Sequence, residues 1–364
     1  MATLTRIASP AKAAATLVLI LSIIIGTISK YQPTLFFRIP HIGFIFWAAT
    51  GHRMPPYFDP APMEQPYFDR LVHDGDTILG SLPKAGTVWL HYIIHLLKNG
   101  GDDTFSDRLM DHVGSAEFML YPENTVEERV SAVQSMRERE AKRSVRRDKT
   151  LTHFSHLSPA DQVYGLNVTL HPKVRYVVAM RNPLEIIQSA HSFLNMHTAD
   201  FRRQWGGFPP RLPNKEAALE FVLGHKEFVF MPAVAWWQVR HEPNVLLVNF
   251  VDLKTDHRGQ VERIARFLDI PDVTPDLIDA TVEKSTFAHM KRREKEVPGI
   301  YSDLHGRPGR PKFFTTEQHL GKGKSLESGE YYTPEMMLKY EKTVGEMLGP
   351  FADLVDYLGK GGVY

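Results

Sequence analysis

Thr77-Ile-Leu-Gly-Ser-Leu-Pro-Lys-Ala-Gly-Thr-Val-Trp-Leu-His-Tyr92 is the stretch whose reading decides the fold of this chain. Thr77 to Ser81 is an apolar run that reads as a buried strand, Pro83 to Gly86 reads as a tight loop, and Val88 to Lys98 has the periodicity of an amphipathic helix. A strand, loop and helix start in this order turn backbone N–H groups and the positive end of a helix dipole toward one point, which suits an anion. Gly86 lets the backbone approach such a ligand closely, Thr87 offers a hydroxyl and Lys84 a point charge. It is not a Walker A loop, because that motif needs Gly-Lys-Ser/Thr at the helix start and Lys84 lies two residues before Gly86. A short glycine loop is also an ordinary strand-to-helix turn, so the rest of the chain has to decide.

Outward from this point, Thr150 to Phe154, Arg175 to Met180 and Val245 to Phe250 read as further strands. Glu127 to Arg143, Leu184 to Leu194, Lys215 to Phe228 and Val261 to Leu268 read as helices. This alternation predicts an α/β fold with a central, mostly parallel sheet flanked by helices and a P-loop-like, anion-binding strand-loop-helix at one strand end. With 364 residues, 43% hydrophobic and 23% charged, the chain has the composition of an ordinary globular protein. Its net charge of +1 gives no global basic field for nucleic acid, so any anion site is local. The absence of cysteine excludes thiolate nucleophiles, disulfides and cysteine-based metal sites, and no other metal-ligand spacing is visible.

Five segments in order now resemble one family. Pro83-Lys84-Ala85-Gly86-Thr87-Val88-Trp89 resembles the PKxGTxW loop of sulfotransferases that use 3′-phosphoadenosine 5′-phosphosulfate (PAPS). Arg181-Asn182-Pro183, with Ser189 beyond it, resembles the family's strand-Arg-Asn-Pro-helix element. Trp236-Trp237, Pro243 to Leu246 and Phe250 to Lys254 resemble its WW…PNVL…YEDMK segment. Ser285-Thr286-Phe287 to Lys291 resembles TSFxxMK, and Gly321-Lys322-Gly323 with Tyr332-Thr333 resembles RKG…FT. Together these cover roughly residues 68 to 345, and the ordered set is far more specific than any member alone.

The resemblance implies a PAPS-binding site made by Lys84, Ala85, Gly86, Thr87, Val88, Trp89, Arg181, Ser189, Phe250, Ser285, Phe287, Lys322 and Gly323. Arg181 and Ser189 would hold the 3′-phosphate, and Trp89 and Phe287 would offer faces to the adenine. Lys84 would stabilise charge on the leaving phosphate. The family places its general base in a KTH element before the Arg-Asn-Pro strand, where Leu151-Thr-His-Phe-Ser-His-Leu157 offers two histidines. His153 follows a threonine as in the family and is preferred; His156 has the better spacing to Arg181. Four departures stand out: Leu151 for the KTH lysine, Gly321 for the RKG arginine, Phe250 for a tyrosine, and no KxxxTVxxxE dimer motif around Thr333. The implied activity is sulfuryl transfer to a hydroxyl of a small or lipophilic acceptor. A carbohydrate or glycolipid acceptor is the alternative within the class, and a non-catalytic nucleotide-binding membrane protein is the alternative from another class.

Residues 1–51 read as a membrane anchor or targeting region, since Ala13 to Ser29 is uncharged and apolar between Lys12 and Lys30. An anchor implies a single-pass protein of the Golgi or endoplasmic reticulum; a removed organelle-targeting peptide and a cleaved secretory signal are the other outcomes. Residues 52–68 carry five prolines and read as an extended stem, leaving 69–364 as the sulfotransferase domain.

Overall fold

The computed structural model describes residues 16–24, 27, 57–59, 61–104, 109, 116–119, 121, 124–142, 150–159, 166–297, 300, 312–316, 320 and 331–362. Four strands form the sheet: β1 (Thr77–Ser81), β2 (Thr152–Ser155), β3 (Arg175–Met180) and β4 (Val245–Asn249). They pair in the order β2-β1-β3-β4, every pair parallel. The α/β expectation therefore holds, with β1 and β3 matching their sequence-read bounds. β2 starts and ends later than expected, and Phe250 leaves the end of β4 to open a helix. Because β1 connects onward to β2 on one side while β3 lies on its other side, the order reverses between β1 and β3. In open parallel sheets that switch point, at the carboxyl ends of the strands, is where ligands bind.

The helices cover both faces. They are α1 (Tyr67–Leu71), α2 (Thr87–Lys98), α3 (Val126–Ala141), α4 (Pro183–Asn195), α5 (Ala199–Gln204), α6 (Lys215–Gly224) and α7 (Phe230–Gln238). After β4 come α8 (Phe250–Thr255), α9 (His257–Phe267), α10 (Pro275–Lys284), α11 (Phe287–Glu296), α12 (Pro334–Leu348) and α13 (Ala352–Lys360). Their starts follow the local chemistry: Thr125 and Glu128 form a capping box on α3, Asn182 caps α4 with Pro183 at its first turn, and Thr286 caps α11. Burial of every β1 and β4 residue explains why these strands read as continuous apolar runs rather than alternating ones.

The proline-rich segment is not an extended stem over its described part. Tyr57 is 6% exposed and sits among the rings of Phe118, Phe201, Trp205 and Phe208, at centroid distances of 5.4 to 6.1 Å. Phe58 forms an isolated antiparallel bridge with Phe118, and the Asp59 N–H donates to the Glu117 carbonyl at 2.8 Å. The Asp59 carboxylate pairs with Arg129, which also donates to the Ala116 carbonyl at 2.6 Å. The prolines direct the path, but the aromatic residues between them have a core to enter, so the folded domain begins by Tyr57 rather than at residue 69. Of the apolar run Ala13 to Ser29, residues 16–24 are helical with exposed side chains. Among the described residues no helix is long and apolar enough to cross a membrane.

A buried polar cluster closes the other end of the sheet. Asp76, 1% exposed just before β1, accepts from the Leu151 N–H at 2.7 Å, the His73 N–H at 2.9 Å, the His153 imidazole at 3.0 Å and the Arg137 guanidinium. Burial pushes the Asp76 carboxyl up, but His153 and Arg137 outweigh it and hold the group well below the usual carboxylate range. Its stabilising effect is thus present above the unfolded-state pKa and is lost as pH falls through the depressed folded value. Asp76→Ala strands the Arg137 cation, the buried His153 imidazole and two backbone donors, and a loss of about 3–5 kcal/mol is expected. Urea unfolding checks it; a loss below 1 kcal/mol would show that the cluster does not hold the strand ends together.

Candidate active site

The four strands deliver one residue each to the carboxyl edge. β1 runs into the loop Leu82 to Gly86, where the Leu82 N–H still donates to the Ala179 carbonyl of β3 at 3.1 Å. The loop then bends through left-handed backbone at Lys84 (φ 63°) and Gly86 (φ 98°), on either side of the buried Ala85. Lysine seldom adopts that conformation, and a strained non-glycine residue of this kind is characteristic of loops built around a ligand. The turn leads directly into α2 at Thr87, whose hydroxyl donates to Ser81 Oγ at 2.8 Å. Gly86 is fixed in two ways, by its positive φ and by Phe250, whose Cδ2 would lie 2.9 Å from a β-carbon. Gly86→Ala is expected to weaken adenine-nucleotide binding by about tenfold or more through these clashes. Calorimetry with the wild type alongside checks this, and equal affinity would mean that the loop does not approach the nucleotide.

Arg181 leaves β3 next to that loop. Its Nε donates to Glu185 at 2.9 Å and its Nη1 to the Lys84 carbonyl at 2.9 Å, while its guanidinium carbon lies 4.0 Å from the centre of the Phe250 ring. Ser189 lies further along α4 on the same chain segment and is half-buried. Lys84 Nζ sits 3.8 Å over the Phe193 ring, and burial together with the nearby Arg181 charge brings its ammonium down to about 7. Two cations so close stabilise one another poorly, and an anion between them removes the repulsion.

Trp89, Phe250 and Ser285 also come together. The Trp89 Nε1–H donates to the Ser285 carbonyl at 2.7 Å, and the Phe250 ring meets the indole edge-on at 5.7 Å. Val88 packs, half-buried, against the cluster of Tyr92, Leu96 and Met290. Phe287 opens α11 two residues beyond Ser285 and is 40% exposed. Lys322 and Gly323 lie outside the described residues; of the last motif, Tyr332 donates its hydroxyl to the Leu184 carbonyl of α4 at 2.6 Å and Thr333 caps α12.

The two histidines separate cleanly. His153 pairs with Ile78 in the middle of β1, is 3% exposed, and directs Nε2 at Asp76 toward the amino end of the sheet. His153, the histidine preferred from the sequence, has its imidazole engaged in the Asp76 cluster, which speaks against the role of base. His156 follows β2 at the carboxyl edge, with Nδ1 2.8 Å from the Ser81 carbonyl and 3.1 Å from Ser81 Oγ. A carbonyl partner requires the proton on Nδ1, which leaves Nε2 as the basic nitrogen. Burial and the Lys84 charge, partly offset by the Ser81 carbonyl, lower the His156 pKa to about 4, so the ring is neutral near pH 7.

Glu117, which the sequence did not single out, holds this turn. It is fully buried, accepts from Ser155 Oγ at 2.8 Å and from the His156 N–H at 2.6 Å, and burial pushes its carboxyl up to about 7 despite those bonds. Only an acidic residue flanked by apolar ones (Ala116, Phe118) hinted at it in the sequence. Aromatic rings frame His156: Phe154 at 4.6 Å and Phe58 at 5.4 Å, with Phe118 beyond Phe58 at 5.5 Å. Among the described residues no group of three or more His, Asp and Glu is arranged to hold a metal ion.

A phosphate-type loop at the switch point, a cation pair and a neutral imidazole at one sheet edge define a group-transfer site for an anionic donor. The family model for the sulfotransferase domain matches residues 74–349, and the chain belongs to that family. Sulfotransferase 6B1 of Danio rerio is 24% identical over 72% of this chain and 79% of its own length. Flavonol 3-sulfotransferase of Flaveria bidentis is 23% identical over 76% of this chain and 83% of its own. Among solved structures, mouse sulfotransferase SULT7A1 complexed with PAP superposes with a TM-score of 0.53 at 19% identity, covering 81% of this chain and 92% of that one. Retinol dehydratase in complex with androsterone and inactive cofactor PAP gives 0.52 at 19% identity, covering 77% and 82%. At these identities the structural likeness supports the fold.

Proposed function

We propose that this enzyme transfers a sulfuryl group from PAPS to the hydroxyl of a small lipophilic acceptor. The observation that carries the reading is the convergence of His156 and Lys84 at the carboxyl edge beside the left-handed loop. PAPS binds with its 5′-phosphosulfate in the loop from Lys84 to Val88 and its 3′-phosphate toward Arg181 and Ser189. The acceptor oxygen attacks sulfur in line as its proton passes to His156 Nε2. The new O–S bond forms while the S–O bond to the 5′-phosphate breaks, and Lys84 stabilises the charge gathering on that phosphate. The desulfated nucleotide, adenosine 3′,5′-bisphosphate (PAP), and a sulfate ester leave. Both structural neighbours described above were solved with PAP, which supports the donor assignment.

The rings of Phe58, Phe118 and Phe154 around His156 favour an acceptor with an apolar body over a sugar. The full chain, supplied with PAPS and phenols, sterols, fatty alcohols or simple sugars, is expected to sulfate members of the first three groups. Sulfation of sugars alone would overturn the acceptor class while leaving the donor intact.

The apolar run Ala13 to Ser29 serves in this reading as a membrane anchor of the Golgi or endoplasmic reticulum, a placement supported by its composition and by the helix at residues 16–24. Retention in the membrane pellet after a carbonate wash is the expected result; a soluble mature chain starting beyond residue 30 would replace the anchor with a removed targeting peptide.

A further inference from the structure

Position 257 lies outside every motif that marks this chain as a sulfotransferase, yet its side chain backs the aromatic platform of the nucleotide site. The His257 ring stacks on Trp89 at a centroid distance of 5.3 Å and an interplanar angle of 14°. Its Nε2 lies 2.7 Å from Ser285 Oγ, and its Nδ1 lies 3.2 Å from the Leu253 carbonyl oxygen of α8. Ser285 is fully buried, donates its hydroxyl to the Thr281 carbonyl at 2.6 Å and accepts the Trp89 N–H on its own carbonyl at 2.7 Å. One imidazole thus touches both the indole and the residue that fixes the indole's orientation. His257 covers one face of Trp89 while Phe250 meets its edge.

We propose that His257 is a positioning residue for the donor, acting through Trp89 and Ser285 to hold the surface on which the adenine packs. The proposal rests on the donor assignment above. A half-buried indole held by one hydrogen bond alone would have to be ordered when the nucleotide binds, and a ring already locked by a stacked neighbour loses less freedom at that step. His257 approaches neither the loop that takes the phosphosulfate nor His156, so its effect belongs to base recognition and not to the chemical step.

The test compares PAP with ribose 3,5-bisphosphate, which carries both phosphates and no base, as ligands of the full chain. His257→Ala is expected to weaken PAP binding by about tenfold, the size of one lost aromatic contact, and to leave ribose bisphosphate binding unchanged. The KM for PAPS rises in step while kcat at saturating donor stays within about twofold. His257→Phe, which keeps the stack, and His257→Gln, which keeps a partner for Ser285, each recover part of the loss. Thermal melts confirm that the variants are folded, and the Phe and Gln variants carry the test if the Ala variant is not. Equal losses for both ligands, or unchanged PAP binding in all variants, would overturn the proposal. A wild-type chain that binds neither ligand would instead remove the donor assignment, and this inference with it.

Discussion

His156→Asn is expected to lower single-turnover sulfuryl transfer about 100-fold or more at saturating donor, while His153→Asn keeps turnover close to wild type. The difference follows from which end of the sheet each ring occupies. His156 has its Nδ1 on the Ser81 carbonyl, one residue before the loop, and its pKa of about 4 keeps Nε2 free to accept a proton at neutral pH. His153 is buried and hydrogen-bonded to Asp76, and burial lowers its own pKa despite that carboxylate. Its replacement therefore disturbs packing and the Asp76 cluster, so His153→Asn should show a lower urea midpoint with an intact catalytic rate per folded molecule. The opposite pattern, an inactive His153→Asn beside an active His156→Asn, would return the role of base to His153.

Lys84→Ala and Arg181→Ala should both be nearly inactive at low donor concentration and should part company at high concentration. Removing Lys84 takes away a charge aimed at the leaving phosphate, and a fall of about 100- to 1,000-fold in the rate at saturating PAPS is expected, with PAP binding changed far less. Removing Arg181 should mainly weaken PAP, because its guanidinium already stands between Glu185 and the Lys84 carbonyl, where it meets a phosphate without reorganising. Unchanged PAP affinity in Arg181→Ala would refute its assignment. The pH behaviour adds a sign. Lys84 loses its charge as pH rises through about 7 in the free protein, and an anionic donor favours the charged form. Nucleotide binding near pH 7.5 should therefore take up protons, which calorimetry in buffers of different ionisation enthalpy measures directly.

What the sequence made legible was whatever is local. The loop from Leu82 to Gly86 needs only a neighbouring strand and helix, and β1 and β3 appeared with the bounds their apolar runs gave. The placement of the two histidines was not local. Leu151 to Leu157 has an apolar residue at every third position with a histidine before two of them, and its register depends on Thr77 pairing with Thr152 and on Glu117 gripping the His156 N–H from 39 residues upstream. No reading of the segment by itself contains either contact. His257 escaped for a related reason, since its meaning comes from Trp89 across the fold. The prolines from residue 55 to 66 read as spacers, whereas Tyr57, Phe58 and Met63 between them and Phe68 just beyond carry the packing information.

The segment Tyr57 to Asp59 also sets a limit on how far the amino terminus can be trimmed without breaching the fold. Phe58 lies against the His156 ring, and Asp59 ties Arg129 and the Glu117 carbonyl into the same wall. A chain cut beyond Asp59 would lose the Phe58 ring beside His156 and the Asp59 partner of Arg129 together. A chain that starts beyond Asp59 should therefore unfold at lower urea than one that starts before Tyr57.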